Sequence, residues 1–204
     1  IFESGHVYLP RNGDLPLEKE MVTGVFSGPR WEAHWLAQDE RLGFLDAKGI
    51  LERLMEWLGI AASFRPSQDV LLKPGACAEV LAGTTLVGVI GEVHPSVVES
   101  YDIEPGPVAL FDLDIEALLK AIPPVGRSYK SIPRFPVAVR DLSIVLDRDV
   151  PAAQVQAVVE KHRLVDKVQL FDVYEGQNIP EGKRSLAYHI YFQADDRTLT
   201  ANEV

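Results

Sequence analysis

The sequence has very little cysteine and no long apolar run. Its 204 residues include one cysteine, Cys77, so no disulfide can form within the chain. The paired Cys or His spacing of a zinc site is also missing, and we expect no metal site. No apolar run approaches the roughly 18 residues of a membrane-spanning helix, and the first residues do not form a basic and then apolar leader. We therefore expect a soluble, cytoplasmic protein without a membrane partner.

The motifs of common catalytic sites are missing as well. The chain contains no Walker loop, no G-x-G-x-x-G, no G-x-S-x-G and no H-E-x-x-H. His94 lies near Glu92, and pairing of adjacent strands would bring it close to Cys77, which suggests a nucleophilic Cys-His pair. A histidine that bonds its own turn and a buried structural cysteine explain the same residues. Because no third residue is available to orient the pair, we favour the structural interpretation and predict no catalytic residue.

Negative charge dominates only the first part of the chain. Residues 1–126 contain 9 Lys and Arg against 19 Asp and Glu, whereas residues 127–204 contain 11 of each. The net charge of −10 argues against a nucleic-acid partner, but the neutral second part begins with four cations before its first carboxylate. These are Arg127, Lys130, Arg134 and Arg140. A local positive stripe is typical of phosphate-binding surfaces, although a solvated basic linker gives the same pattern and is favoured on charge alone.

Residues 1–122 have the pattern of an antiparallel sheet with few helices. Turn signals occur at Asn12-Gly13 and Pro74-Gly75. Before, between and after these turn signals, apolar runs predict strands at residues 2–9, 21–27, 61–65, 76–81, 86–93 and 107–113. Short helices are expected at residues 95–101 and 115–122. This order indicates an α+β domain rather than alternating βα units.

The clearest helix lies between Asp46, which can cap its beginning, and Gly59, which can end it. Its apolar residues have helical spacing and predict one buried face. That face consists of Ile50, Leu51, Leu54, Trp57 and Leu58.

A domain boundary is expected where Pro123-Pro124 interrupts this pattern, because the charge balance changes at the same point. We predict a linker at residues 123–130. The segment that follows, SIPRFPVAVRDLSIVLD, has an extended entry because Pro133 and Pro136 restrict the backbone. It continues into a strand at residues 142–146.

The second domain, residues 131–204, has the order of a split ferredoxin-like unit. A helix after Pro151 and strands at 168–174 and 185–193 complete a β-α-β-β sequence. Thr200 and Glu203 have the spacing of a capping box, so a further helix begins there. We expect a fragment of a longer protein, in which the last helix and strand of this unit are absent.

Several segments resemble a known family. The segments RFPVAVRDLSIVLD, FDVYEG, GKRSLAYHIYFQ and RTLTANEV are similar to the anticodon-binding domain of the β chain of bacterial phenylalanyl-tRNA synthetase. The segment from Gly88 to Leu119 resembles the corresponding stretch of the catalytic α chain. The resemblance implies a C-terminal fragment of the β chain. Its parts would be an inactive class II synthetase-like core at residues 1–122, a linker at 123–130 and a truncated ferredoxin-like anticodon-binding domain at 131–204.

The resemblance also implies partners and cofactors. The β chain assembles with the α chain as an α2β2 tetramer, which charges phenylalanine tRNA with the use of ATP and Mg²⁺. In catalytic class II domains, the region matching Phe111 to Ala117 is rich in glycine and ends in an arginine that contacts ATP. Here it reads FDLDIEA, and its carboxylates would repel a triphosphate. We therefore expect a non-catalytic part of a ligase, without a cofactor of its own.

Aromatic and basic residues of the second domain predict an RNA-binding surface, because rings stack on unpaired bases and cations meet phosphates. Strand alternation places Tyr188, Ile190 and Phe192 on one face and His189 and Tyr191 on the other. Phe171, Tyr188 and Phe192 are expected in the core. The predicted RNA-binding residues are Arg134, Arg140, Tyr174, Lys183 and Arg184. The alternative is a purely structural protein-interaction module without RNA contact.

Overall fold

The chain forms two compact units, Ile1–Ser128 and Tyr129–Val204. The structure is a computed structural model, and it describes residues 1–32, 34–36, 40–103, 106–124 and 132–204. Most of the predicted linker at 123–130 lies outside the described residues, as do Arg127 and Lys130 of the basic stripe. Each unit is described by itself below.

The first unit is an antiparallel sheet with three helices among its described residues. Its elements are β1 (Phe2–Leu9), β2 (Leu17–Ser27), α1 (Phe44–Leu58), β3 (Ala62–Pro66), β4 (Leu72–Ala82), β5 (Thr85–Val93), α2 (Pro95–Ser100), β6 (Val108–Asp114) and α3 (Ile115–Ala121). The strand order is β1-β2-β6-β5-β4-β3. Pro74-Gly75, predicted as a turn before a strand, instead lies within β4 at an irregularity in its pairing with β5, where Gly75 has a φ of 81°.

Helix α1 differs from its prediction at its beginning and on its buried face. Gly43 is the N-cap, and Asp46 lies in the first turn, where its carboxylate accepts the Gly43 N–H at 3.0 Å. Gly59 ends the helix with a φ of 75°, as predicted.

The buried side of α1 is formed by Ala47, Leu51 and Met55, whereas the predicted Ile50 and Trp57 are exposed. Apolar residues cover more of the helix circumference than the sheet can contact. The sequence pattern alone therefore did not decide which side is buried.

The core of the first unit lies between the sheet and helices α1 and α3. Alternate residues of the central strands, among them Ile90, Phe111 and Leu113, contribute to it. Residues Asp112 and Asp114 of β6 occupy the opposite side of the sheet because side chains alternate along a strand. Asp114 also caps α3 by accepting the Ala117 N–H at 2.9 Å.

The second unit has the predicted β-α-β-β order. It comprises β7 (Ala138–Asp147), α4 (Ala152–Val159), β8 (Val165–Tyr174) and β9 (Lys183–Phe192), with strand order β7-β9-β8. Both pairs are antiparallel, so β9 is the central strand. Residues 193–204 add no further strand or helix, and the Thr200 N–H donates to the Glu203 carboxylate at 2.9 Å, as in a capping box.

Helix α4 packs on one face of this sheet. Val168, Leu186, Tyr188 and Ile190 form the buried cluster, with Val155 and Val159 of α4 against it. Tyr188 is fully buried and donates its hydroxyl to the Ala152 carbonyl at 3.1 Å. Burial raises the pKa of Tyr188. Within the described residues of both units, no helix has the length and apolar character needed to cross a membrane.

Candidate nucleic-acid interface

The second sheet presents a face that points away from α4, and we call it the open face. Pairing fixes its members, because Asp141, Ser143 and Val145 of β7 lie opposite His189, Ala187 and Ser185 of β9. Residues directly opposite each other in an antiparallel pair project to the same side. On β8 the open face carries Lys167, Gln169, Phe171, Asp172 and Tyr174.

Tyr174 lies at the end of β8 on the open face, opposite Ser185. It is 47% exposed, and its hydroxyl donates to the Gln177 carbonyl at 3.2 Å. The ring lies over Gly176, where an added Cβ would come within 2.8 Å of the hydroxyl oxygen. The turn after β8 therefore holds an aromatic ring in one position while leaving about half of its surface accessible.

Asp172 lies two residues before Tyr174 and on the same side of the strand. It is exposed, and its carboxylate makes no hydrogen bond or ion pair with another described residue. By contrast, the Asp147 carboxylate on this face is paired with Lys183, and that of Asp141 is hydrogen-bonded to His189. Asp172 is thus a free acceptor beside an exposed ring.

Phe171 is exposed to 48%, and the prediction that it belongs to the core is wrong. Phe171 lies on the open face, and the irregularity between Leu170 and Asp172 in the pairing of β8 with β9 leaves it without a directly opposite residue. There its ring stacks on the imidazole of His189, with centroids 3.9 Å apart and planes inclined by 11°. Alternation from the core residues Val168 and Leu170 already places residue 171 on the open side, and this signal could have identified it.

His189 links several strands on this face. Its Nδ1 lies 2.7 Å from an Asp141 carboxylate oxygen on β7, and its ring meets that of Tyr191 edge-on at 6.5 Å. The Lys167 ammonium lies 5.5 Å from the centre of the Tyr191 ring. The prediction that His189 and Tyr191 share one face, opposite Tyr188, is confirmed.

The five predicted RNA-binding residues do not all lie on the open face. Lys183 does, at the start of β9, and its ammonium pairs with Asp147 at 2.8 Å. Arg134 is exposed in the extended segment before β7, and it makes no hydrogen bond or ion pair with another residue that the structure describes.

Arg140 and Arg184 belong to the side of the sheet that carries α4. Arg140 lies opposite the buried Ile190, and its guanidinium donates to the Val139 carbonyl at 2.9 Å. Arg184 lies four residues before Tyr188 on β9 and therefore on the same side, and its guanidinium donates to the Val150 carbonyl at 2.9 Å. The structure therefore brings Tyr174 and Lys183 together on one face and separates them from these two arginines.

The first unit shows no catalytic cluster among the residues proposed for one. Cys77 is buried, with its thiol 3.3 Å from the Ser67 carbonyl, and His94 bonds Ser96 in its own turn at 2.7 Å. Glu92 accepts from Lys73 and from the Phe44 N–H. Burial alone would raise the pKa of Glu92, but these donors hold it below its ordinary value. In the described parts of the chain, no three His, Cys, Asp or Glu side chains are grouped to hold a metal.

The segment Phe111–Ala117 has structural partners throughout. Phe111 and Leu113 are core residues, whereas Asp112 accepts from the Thr23 hydroxyl at 2.7 Å. Asp114 accepts from Lys19 at 2.6 Å as well as capping α3. The side chain hydrogen bond from Lys19 and the Ala117 N–H lower the pKa of Asp114. The segment thus presents two carboxylates on the side of the sheet away from the helices.

Comparison with known proteins accounts for both units. Residues 1–115 match the family model described as phenylalanyl tRNA synthetase beta chain CLM domain, and residues 133–204 match the ferredoxin-fold anticodon binding domain. The chain is 39% identical over 204 residues to the phenylalanine--tRNA ligase beta subunit of Dehalococcoides mccartyi strain 195. It is 39% identical over 210 residues to that of Geobacillus kaustophilus and 36% over 209 residues to that of Bacillus subtilis.

These matches cover 100% of the chain but 25–26% of each relative, so the chain spans about a quarter of their length. The β-chain family model matches residues 1–115 of the first unit, which is more than half of the chain. The anticodon-binding model matches residues 133–204, which include the sheet with the open face. The chain belongs to the phenylalanyl-tRNA synthetase β-chain family.

Proposed function

We propose that this chain supplies an anticodon-binding surface and a structural core to a phenylalanine--tRNA ligase, and that it has no catalytic activity of its own. The observation that carries the proposal is the exposed, positioned ring of Tyr174 on the open face of a domain that matches the anticodon-binding model. In the assembled ligase, an α chain would activate phenylalanine with ATP and Mg²⁺ in the cytoplasm. Phenylalanine tRNA would bind this chain through its anticodon loop.

Tyr174 provides a stacking surface for one unpaired base. Aromatic stacking contributes about 1–3 kcal/mol per base and tolerates any base, because every base has a π face. Selectivity would come from the groups beside the ring, such as the free carboxylate of Asp172 on the same strand and the hydroxyl of Ser185, which also bonds that of Ser143. A carboxylate only accepts hydrogen bonds, so this arrangement favours a base that presents N–H donors at its edge.

The four predicted cations would bind RNA phosphates, and their contributions to affinity would differ. Arg134 has no competing partner among the described residues, and Lys183 must exchange Asp147 for a phosphate. Arg140 is exposed at the edge of the sheet and would contribute mainly long-range attraction. Arg184 holds the turn before α4 through Val150, so its contribution to RNA binding would be indirect.

The first unit would be an inactive class II synthetase-like core. Asp112 and Asp114 occupy positions where a triphosphate site needs cations or glycine amides, and both carboxylates already have structural partners. The exposed apolar side chains of α1, such as Ile50 and Leu54, would lie against the α chain in an α2β2 assembly. Under this proposal the chain needs no cofactor of its own.

The test is binding of an anticodon stem-loop of phenylalanine tRNA, measured by fluorescence anisotropy with the 204-residue chain. Tyr174→Ala should weaken binding about 5- to 150-fold, the range that stacking energies imply. Lys183→Ala should weaken it for all loop sequences and reduce the slope of log affinity against log salt by about 1 or less.

The matched control is Lys161→Ala, which removes the same charge from the turn after α4. Circular dichroism of every variant verifies folding. The same variants should reduce charging of phenylalanine tRNA when they are placed in the assembled ligase. Normal folding with unchanged affinity and charging for both Tyr174→Ala and Lys183→Ala would favour the alternative, a structural module without RNA contact.

A further inference from the structure

The stacked pair of Phe171 and His189 is not explained by the packing of the sheet. The core cluster of this unit lies on the α4 side, and Phe171 is 48% exposed on the other side. Val173, on the same strand, is equally exposed at 49% but points to the α4 side, opposite Leu186. An exposed phenylalanine in a β-bulge gains little from burial, so its position needs another reason.

We propose that Phe171, supported by His189, is a second stacking site for an unpaired base of single-stranded RNA, separate from the site at Tyr174. The inference rests on the proposed function of the open face and extends it from one base to two. Phe171 and Tyr174 are three residues apart on β8, which corresponds to about 10 Å along a strand. Sheets that bind single-stranded RNA stack two or three bases on separate aromatic residues of one face.

The surroundings of the pair favour RNA as the occupant. His189 is held in place by Asp141 at 2.7 Å, so the imidazole supports one side of the Phe171 ring in a fixed plane. Phe171 is 48% exposed on this face, and we infer that a base would stack on the side of its ring away from His189. Lys167, which lies beside the Tyr191 ring, provides a cation on the same face for the backbone of the bound strand.

The electrostatics of the face allow an anionic strand to approach. The Asp147 carboxylate is paired with the Lys183 ammonium at 2.8 Å, and the Asp141 carboxylate is hydrogen-bonded to the His189 imidazole at 2.7 Å. Glu175, in the turn after β8, is paired with Arg148 at 2.6 Å. Asp172 is an open-face carboxylate without such a partner among the described residues, and it lies beside Tyr174, where it would accept from base N–H groups.

The experiment measures affinity for the anticodon stem-loop and for stem-loops with one abasic position in the loop. The variants are Phe171→Ala and Tyr174→Ala, and Val173→Ala is the matched control on the opposite side. Phe171→Ala should weaken binding about 5-fold or more, whereas Val173→Ala should change it less than 2-fold. Phe171→Trp should retain affinity, and Phe171→Leu, which keeps apolar bulk but removes the flat ring, should lose it.

Double-mutant cycles then assign each ring to a base. Removal of one loop base should abolish the effect of Phe171→Ala, and removal of a different base should abolish that of Tyr174→Ala. If both rings couple to the same base, the proposal of a second site is overturned. It is also overturned if Phe171→Leu weakens affinity for the stem-loop no more than Val173→Ala does. If Tyr174→Ala weakens binding while the Phe171 variants do not, the proposed function stands and only this inference fails. If neither residue matters, both fail.

Discussion

Gly176 offers a way to displace the Tyr174 ring without removing it. In Gly176→Ala, the new Cβ would lie 2.8 Å from the Tyr174 hydroxyl oxygen and 3.1 Å from the ring carbon Cζ. Contacts this short force the ring to move, and the hydrogen bond to the Gln177 carbonyl is lost. We expect affinity for the anticodon stem-loop to fall at least 5-fold, toward the value of Tyr174→Ala.

Stability should change much less than affinity. Losing the Tyr174 hydrogen bond costs about 0.5–1.5 kcal/mol, and replacing glycine with alanine restores about 0.4–1 kcal/mol by restricting the unfolded chain. The two effects nearly cancel, so the free energy of unfolding should stay within about 1 kcal/mol of wild type. Urea titration followed by circular dichroism measures this difference.

A control and a double variant test whether Gly176→Ala acts through the Tyr174 ring. Gly5→Ala introduces a Cβ that meets no atom within 4 Å, and it should leave affinity unchanged. In a chain that already carries Tyr174→Ala, adding Gly176→Ala should have no further effect on RNA binding. Unchanged affinity for Gly176→Ala alone, or full additivity with Tyr174→Ala, would refute the claim that the turn positions this ring for RNA.

Three further predictions concern stability and ATP. Asp114→Ala removes the N-cap of α3 and the partner of Lys19, so the free energy of unfolding should fall by about 1–2 kcal/mol in urea titrations. The control, Asp114→Asn, should retain most of the cap and lose less stability. Equal losses for the two variants would contradict the capping role of Asp114. The Thr200 N–H and Arg197 lower the pKa of Glu203 to about 2, so the contribution of its hydrogen bonds is complete above its ordinary pKa and disappears as the pH falls toward 2. The Thr200 amide resonance should therefore still report the bond at pH 4, and its loss there would show otherwise. Calorimetric titration with ATP and Mg²⁺ should detect no saturable binding, and a micromolar site would disprove the argument from Phe111–Ala117.

Local sequence signals determined most of the secondary structure. Proline and glycine positions set the ends of elements such as α1 at Gly59 and α2 at Pro95, because their backbone preferences act within a few residues. Strand alternation also separated Tyr188, which is buried, from His189 and Tyr191 on the open face. The motifs of the second domain pointed to the family, and the match to its anticodon-binding model agrees with them.

Tertiary structure decided which of these residues belong together. Phe171 stacks on His189 because the pairing of β8 with β9 brings the two side chains together on one face, and the residues around Phe171 do not encode this pairing. The same register places Arg140 and Arg184 on the α4 side, although both are close in sequence to open-face residues. The sequence by itself thus determined the elements and the kinds of side chain available for RNA. The face that each side chain occupies depends on long-range strand pairing, because a shift of one residue reverses every side chain of a strand.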